Sequence, residues 1–95
     1  MPAIGVLLLE LRLDSAHSLK EKRQILQSLK TRLHHKFNVA VAEIDHQDTW
    51  QRSVIAAVTV ASAREPAAHV LDQVEREAAY LLAEQLANVT VEWLE

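Results

Sequence analysis

The residues best suited to chemistry are four polar side chains between positions 43 and 48, namely Glu43, Asp45, His46 and Asp48. Carboxylate oxygens suit magnesium or calcium, and alternation along a strand puts positions 43 and 45 on one face. A metal site with His17 as a further ligand is therefore one interpretation. A general acid–base pair of Glu43 and His46 is another. The sequence has neither the acidic loop motif of calcium sites nor a paired-histidine spacing, so the metal interpretation lacks support. It also has no oxyanion signature to accompany an acid–base pair.

A structural role for these acids explains the same residues without a ligand. The guanidinium of Arg52 can form a bidentate ion pair with the carboxylate of Glu43 or Asp45. The carboxylate of Asp48 can accept hydrogen bonds from backbone amides in the turn. We therefore predict a structural polar cluster with no catalytic residue, metal or cofactor, made of Glu43, Asp45, His46, Asp48 and Arg52.

Positive charge is concentrated in one segment of a chain whose formal net charge is −3. Six of the ten Lys and Arg residues lie between positions 20 and 36, where Glu21 is the only acid. Basic side chains that share a helix face can hold phosphates with strong salt dependence. They can equally be solvated, or Lys22 and Arg23 can pair with the acids at positions 43–48. The candidates for nucleic-acid contact are Lys20, Lys30, Arg32, Arg23 and Arg52.

The apolar periodicity predicts the element order βαββαβ. Ser18 and Glu21 have the spacing of a helix capping box, and Pro66 suits the first turn of a second helix. Strands are predicted at residues 3–13, 37–44, 50–62 and 88–94, and helices at 18–35 and 66–86. This order is that of the ferredoxin-like α+β fold, in which two helices cover one face of a four-stranded antiparallel sheet. We expect one domain over residues 1–95.

The other face of the predicted sheet is apolar and has no element to cover it. Its expected members are Ile4, Val6, Leu8, Ala40, Ala42, Ile44, Ile55 and Ala57. Because an exposed apolar face is unusual for a monomer, we expect sheet-to-sheet homodimerisation. A platform for a small molecule or single-stranded nucleic acid is the alternative. Base stacking needs exposed aromatics, which these strands lack.

Composition limits the setting in which the protein works. The chain has no cysteine, which excludes disulfides and thiol chemistry. No apolar run approaches the roughly 20 residues needed to cross a bilayer. The first residues lack the basic region of a signal peptide. We therefore expect a cytoplasmic protein with no membrane partner.

Three motifs together resemble the YlxP-like family, a bacterial domain family of unknown function. The motifs are residues 18–23 (Ser-Leu-Lys-Glu-Lys-Arg), residues 37–39 (Phe-Asn-Val) and the polar residues between Ala42 and Arg52. The resemblance covers essentially the whole chain and implies a ferredoxin-like fold. In many bacteria the family's genes lie beside those for translation initiation and ribosome maturation factors. The resemblance thus implies a ribosome- or RNA-associated role and supplies no catalytic residue.

These observations favour an accessory factor that is not an enzyme. We expect it to bind structured RNA or a ribosomal particle through the basic first helix and the Arg52 region. An oligomeric small-molecule-binding or regulatory module on the open sheet face is the alternative from another class. A metal-assisted hydrolase at positions 43–48 is the third.

Overall fold

The structure is a computed structural model that describes residues 1–94, and it confirms the ferredoxin-like α+β fold. The strands form one antiparallel sheet in the order β2-β3-β1-β4, and both helices pack on one face of it. A short 3-10 turn, Ala83–Gln85, joins the second helix to the last strand. The elements are β1 (Ala3–Arg12), α1 (Leu19–Lys36), β2 (Ala40–Asp45), β3 (Arg52–Ala61), α2 (Arg64–Leu82) and β4 (Leu86–Trp93).

The start of α1 is capped by the two residues that the sequence indicates. The Ser18 hydroxyl accepts a hydrogen bond from the Glu21 amide at 3.1 Å. The Glu21 carboxylate accepts a hydrogen bond from the amide of His17 at 2.6 Å. His17 is the residue before the N-cap Ser18. Two backbone donors that would otherwise lack partners are thereby satisfied. This fixes where the basic helix begins.

The core lies between the sheet and the two helices. The strand β1 alternates, so that Leu7, Leu9 and Leu11 point towards the helices and are fully or almost fully buried. Each such leucine contributes on the order of 2 kcal/mol by leaving water. The helices bury a stripe of residues at helical spacing, which comprises Leu26, Leu29 and Leu33 of α1 and Leu71, Val74, Ala78 and Leu82 of α2.

The pairing of β3 with β1 corrects two of the predicted positions on the open face. Ile55 lies opposite Leu9 and Ala57 lies opposite Leu7, and both are fully buried beneath the helices. The prediction that Ile55 and Ala57 lie on the open face was therefore wrong. The β3 residues on the open face are instead Val54, Ala56, Val58 and Val60, which pair there with residues of β1 and β2.

Five more of the predicted open-face positions are confirmed by the same pairing, whereas Ile44 lies at the register shift between Glu43 and Asp45 and has no paired residue that places it on this face. Ile4, Val6 and Leu8 of β1 lie opposite residues 60, 58 and 56 of β3. Ala40 and Ala42 of β2 pair with residues 58 and 56 from the other side. The open face thus has a continuous apolar centre across three strands.

Several element boundaries differ from the prediction by a few residues. The strand β2 begins at Ala40 instead of residue 37, because Phe37 ends α1 with its amide bonded to the Leu33 carbonyl at 3.0 Å. The strand β3 begins at Arg52, so Trp50 lies in the connecting loop and is half exposed. Pro66 lies in the first turn of α2, as predicted.

Gly5 allows α2 and β4 to approach β1 closely. A Cβ atom at this position would lie 2.7 Å from Leu71 Cδ1 and 2.8 Å from Trp93 Cζ3. Arg64 stacks its guanidinium over the Trp93 ring at 4.7 Å from the ring centroid. No helix within residues 1–94 is both long enough and apolar enough to traverse a bilayer.

Candidate functional site

The buried ammonium of Lys22 attaches the first turn of α1 to the loop between β2 and β3. Its Nζ donates to the carbonyl oxygens of His46 at 2.5 Å and Thr49 at 2.6 Å. It also lies 2.8 Å from Glu43 Oε2. These three contacts match the three N–H donors of an ammonium, which is why Lys22 is accommodated at 1% exposure. The alternative prediction that Lys22 pairs with an acid of positions 43–48 is confirmed.

The predicted ion pair of Arg52 with these acids was wrong. Within residues 1–94, no carboxylate lies within the 4.0 Å ion-pair distance of the Arg52 guanidinium. The carboxylate of Glu43 is already bound by Lys22, and it also accepts the Ser53 hydroxyl at 2.7 Å. Arg52 lies instead on the open sheet face, directly opposite Arg12.

A bulge in β2 separates the two carboxylates that the sequence places on one face. The register shifts between Glu43 and Asp45, so that Glu43 lies opposite Ile55 whereas Asp45 lies opposite Val54. Ile55 and Val54 point to opposite sides of the sheet. Across residues 1–94, no group of three or more His, Asp or Glu side chains is placed to hold a metal ion.

The remaining polar residues of this segment shape the loop. His46 has a left-handed backbone with φ of 63°, and its amide donates to Asp45 Oδ1 at 2.7 Å. The His46 carbonyl accepts the Thr49 amide at 3.1 Å, which closes the turn around the exposed Asp48. Together with the ammonium of Lys22, these bonds hold the loop in its observed geometry.

The two sides of α1 differ in how their basic residues are used. On the side towards α2, which we call the α2-facing flank, Arg32 Nε lies 2.9 Å and Lys36 Nζ 2.8 Å from the two oxygens of Glu77. The hydrogen bond from Lys36, and then that from Arg32, lowers the pKa of the Glu77 carboxyl from its ordinary value. Arg32, a predicted phosphate contact, is therefore engaged within the chain.

On the opposite side, which we call the β2-facing flank, lie three further basic residues, Lys20, Arg23 and Lys30. None of the three forms an ion pair with a carboxylate of residues 1–94. Arg23 lies about 20° and Lys20 about 80° around the helix from Lys30, so the three share one side. They can hold anionic groups without breaking an ion pair of the described residues.

A groove of about 410 Å³ runs between the β2-facing flank and the edge strand β2. Lys30 and His34 line its helix side, and Ala40 and Val41 line its strand side. The His34 Nδ1 lies 3.2 Å from the Val39 carbonyl oxygen, which ties the end of the helix to the start of β2. The groove therefore combines one cation with hydrogen-bonding side chains beside an apolar wall.

The fold and these contacts define a small ferredoxin-like domain with one electropositive helix flank. The chain belongs to the family described as protein of unknown function (DUF503), which its residues 4–91 match. It is 46% identical over 61 residues to the uncharacterized protein YlxP of Bacillus subtilis (strain 168). That match covers 64% of this chain and 66% of the relative, just under two thirds of its length. The predicted resemblance to the YlxP-like family is confirmed.

Similar solved structures agree with the fold. The de novo designed protein Foldit4 superimposes with a TM-score of 0.61 at 10% identity, over 100% of this chain and 98% of its own. A dimeric ferredoxin-like protein of unknown function from Thermobifida fusca superimposes with a TM-score of 0.56 at 15% identity. The match covers 98% of this chain and 90% of that protein. A putative antibiotic biosynthesis monooxygenase from Nitrosomonas europaea superimposes with a TM-score of 0.54 at 9% identity. The match covers 97% of this chain and 86% of that protein. At these identities the likeness concerns the fold alone.

Proposed function

We propose that this protein is a cytoplasmic accessory factor, not an enzyme, that binds structured RNA such as that of a ribosomal particle. The observation that carries the proposal is the β2-facing flank, where three cations have no carboxylate partner within residues 1–94. A chain with a formal net charge of −3 leaves these cations unneutralised at one place. Phosphate groups are the partner chemistry that such a row of cations fits.

The geometry of the flank favours recognition of a backbone over recognition of bases. Lys20 and Lys30 are about 15 Å apart along the helix axis, at 1.5 Å per residue. Proteins bind A-form RNA largely through contacts to its phosphates and 2′-hydroxyls. Arg52 follows the loop that Lys22 fastens to the same end of α1, so it extends the positive surface towards the sheet.

The second helix orients this interaction. It carries more acids than bases, with Glu65, Asp72, Glu75 and Glu77 against Arg64 and Arg76. A polyanion approaching that side is repelled, whereas one approaching the β2-facing flank is attracted. RNA binding by this protein is therefore one-sided.

The test is co-sedimentation with ribosomal particles at about 50 mM and about 200 mM salt. We expect association at low salt that falls steeply at high salt, and weaker association after the double change Lys20→Glu/Lys30→Glu. The fold should survive, because surface substitutions usually change stability by less than about 0.5 kcal/mol. The proposal fails if the unmodified protein does not associate at low salt, or if the reversed protein associates equally well.

We propose that the working unit is a homodimer joined through the open sheet face. The apolar centre supports this, because such a face is seldom left in water. The Thermobifida fusca neighbour, which has the same fold, is described as dimeric.

Val6→Glu puts a charge into the centre of this face and should give a monomer by sedimentation at tens of micromolar. Tyr80→Glu is the matched control, because Tyr80 lies on α2 and is 80% exposed. The control should sediment like the unmodified protein. A monomeric unmodified protein at these concentrations contradicts the proposed dimer.

The alternative function is a small-molecule-binding or regulatory module, which the same apolar face supports. In a dimer, such a ligand would bind in an apolar cavity at the interface between the two sheet faces. Binding of that kind should be insensitive to salt, unlike binding of RNA. The third candidate, a metal-assisted hydrolase at positions 43–48, has its own test, since tight calorimetric binding of magnesium, calcium or zinc would contradict the structural role of these residues and favour the hydrolase.

A further inference from the structure

Two arginines face each other at one end of the sheet, away from the β2-facing flank. Arg12 of β1 lies directly opposite Arg52 of β3, and both are exposed on the open face. Directly opposed strand residues have their Cβ atoms about 5 Å apart, so like charges at such positions repel. Neither guanidinium has a carboxylate within ion-pair distance among residues 1–94. Both guanidinium groups are thus left without an ion pair inside the described part of the chain.

Both arginines line a cavity of about 460 Å³. This volume lies within the roughly 300–1,000 Å³ range of small-molecule sites. Two other polar side chains of the wall already donate hydrogen bonds within the chain. Gln51 Nε2 donates to the carbonyls of Asp14 and Ala16. The Ser53 hydroxyl donates to the carboxylate of Glu43. The two guanidinium groups remain as the charged donors of the cavity.

We infer that Arg12 and Arg52 form a binding site for the phosphoryl group of a small molecule. Each guanidinium presents a planar fork of donors that can bind two oxygens of a phosphate. Two such forks compensate the two negative charges of a phosphomonoester, and the phosphate in turn removes the repulsion between the arginines. Arg52 also borders the proposed RNA surface, but Arg12 and the cavity lie outside the β2-facing flank, so this inference stands without RNA binding.

The other charged groups of the cavity restrict the ligand further. The carboxylates of Glu10 and Asp14 also line the wall. They would repel a second anionic group but accept hydrogen bonds from hydroxyl or amino groups of the ligand. Val54 and Ala87 give the cavity an apolar portion. The chemistry therefore fits one phosphoryl group on a small polar body better than a polyphosphate.

The experiment measures the thermal midpoint and the affinity of the full chain for inorganic phosphate and for AMP, with chloride at matched ionic strength as the reference. We expect both probes to raise the midpoint of the unmodified protein. The double change Arg12→Gln/Arg52→Gln should weaken binding at least tenfold and abolish the shift. Its midpoint in chloride should equal or exceed that of the unmodified protein, since the repulsion is gone. That result also shows that the variant folds.

Two control variants separate this site from the rest of the charged surface. Arg32→Gln/Arg76→Gln removes the same number of charges and should bind both probes unchanged. Lys20→Gln/Lys30→Gln should also bind them unchanged, so loss of RNA binding and loss of phosphate binding are distinguishable.

The two probes identify the source of the phosphoryl group. Tighter binding of AMP than of phosphate assigns the site to a phosphomonoester, and equal binding assigns it to free phosphate. The inference is overturned if neither probe binds, or if Arg12→Gln/Arg52→Gln binds as well as the unmodified protein.

Discussion

The two flanks of α1 carry the same kind of side chain but use it in opposite ways. The α2-facing flank meets Glu77, which binds both Arg32 and Lys36. The β2-facing flank meets the apolar edge of β2 and keeps its cations without internal partners among residues 1–94. The charge of a helix therefore does not indicate which cations are available to a ligand. The neighbouring element decides this.

Lys22 lies between the two flanks and shows a third use of the same charge. Its ammonium is enclosed by the β2–β3 loop and by Glu43, so it stabilises the fold and cannot reach a ligand. One helix thus holds a buried structural cation, two surface cations that share one carboxylate, and three cations with no ion-pair partner among residues 1–94. Substitution of each kind of cation is expected to have a different effect on stability or on RNA binding.

The largest effect is expected at Lys22. Lys22→Met should lower the free energy of unfolding by about 3 kcal/mol, because Glu43 would keep a partly buried charge and two carbonyls would lose their donor. Urea unfolding measures this directly. The matched control Lys20→Met, two residues away on the exposed side, should change stability by less than about 0.5 kcal/mol. Equal effects of the two substitutions would contradict the distinction between buried and exposed cations.

The second prediction concerns a substitution that leaves the cations of both flanks without a carboxylate partner. Glu77→Gln removes the carboxylate that holds Arg32 and Lys36, so both cations become available to phosphates. RNA association should strengthen, and the slope of log affinity against log salt should steepen by up to about two units. Glu84→Gln, an equal change of charge in the 3-10 turn, should leave the slope almost unchanged. If both variants behave alike, the engagement of Arg32 by Glu77 is irrelevant to binding.

A smaller effect is expected from pH at the α2-facing flank. The Lys36 and Arg32 contacts lower the pKa of Glu77 in the folded state, so the carboxyl binds its proton more weakly when folded than when unfolded. The stabilisation is therefore present above the ordinary carboxyl pKa of 4.5 and is lost as pH falls through the lower folded-state value. The stability difference between the unmodified protein and Glu77→Gln should shrink from about pH 6 to about pH 3. A constant difference would contradict these ion pairs.

Most of the fold could be predicted because its local signals are strong. The Ser18 and Glu21 cap, the leucine stripe of α1 and the position of Pro66 depend only on nearby residues. The faces of β3 could not be predicted, because that strand is apolar on both sides. Its polar residues Ser53 and Thr59 are buried, where they bond to Glu43 and to the Asn38 carbonyl.

The site was harder to predict because it depends on contacts between distant elements. Lys22 had one signal, since positions 22, 26, 29 and 33 follow the spacing of the buried stripe, which placed its side chain towards the core. The bulge between Glu43 and Asp45 had no local sequence signal. The pairing of Arg12 with Arg52 depends on strand register, which only the folded sheet defines.

The central claim is that unpaired cations, and not the total positive charge, carry the interaction with RNA. The most direct test compares two charge-matched variants, Lys20→Gln/Lys30→Gln and Arg32→Gln/Arg76→Gln, in binding to ribosomal particles over a salt series. Both variants lose two positive charges. Among residues 1–94, Lys20 and Lys30 have no ion-pair partner, whereas Arg32 binds Glu77 and Arg76 binds Asp72. We predict that the first variant loses about two units of salt slope and the second almost none. Equal losses in the two variants would contradict the claim.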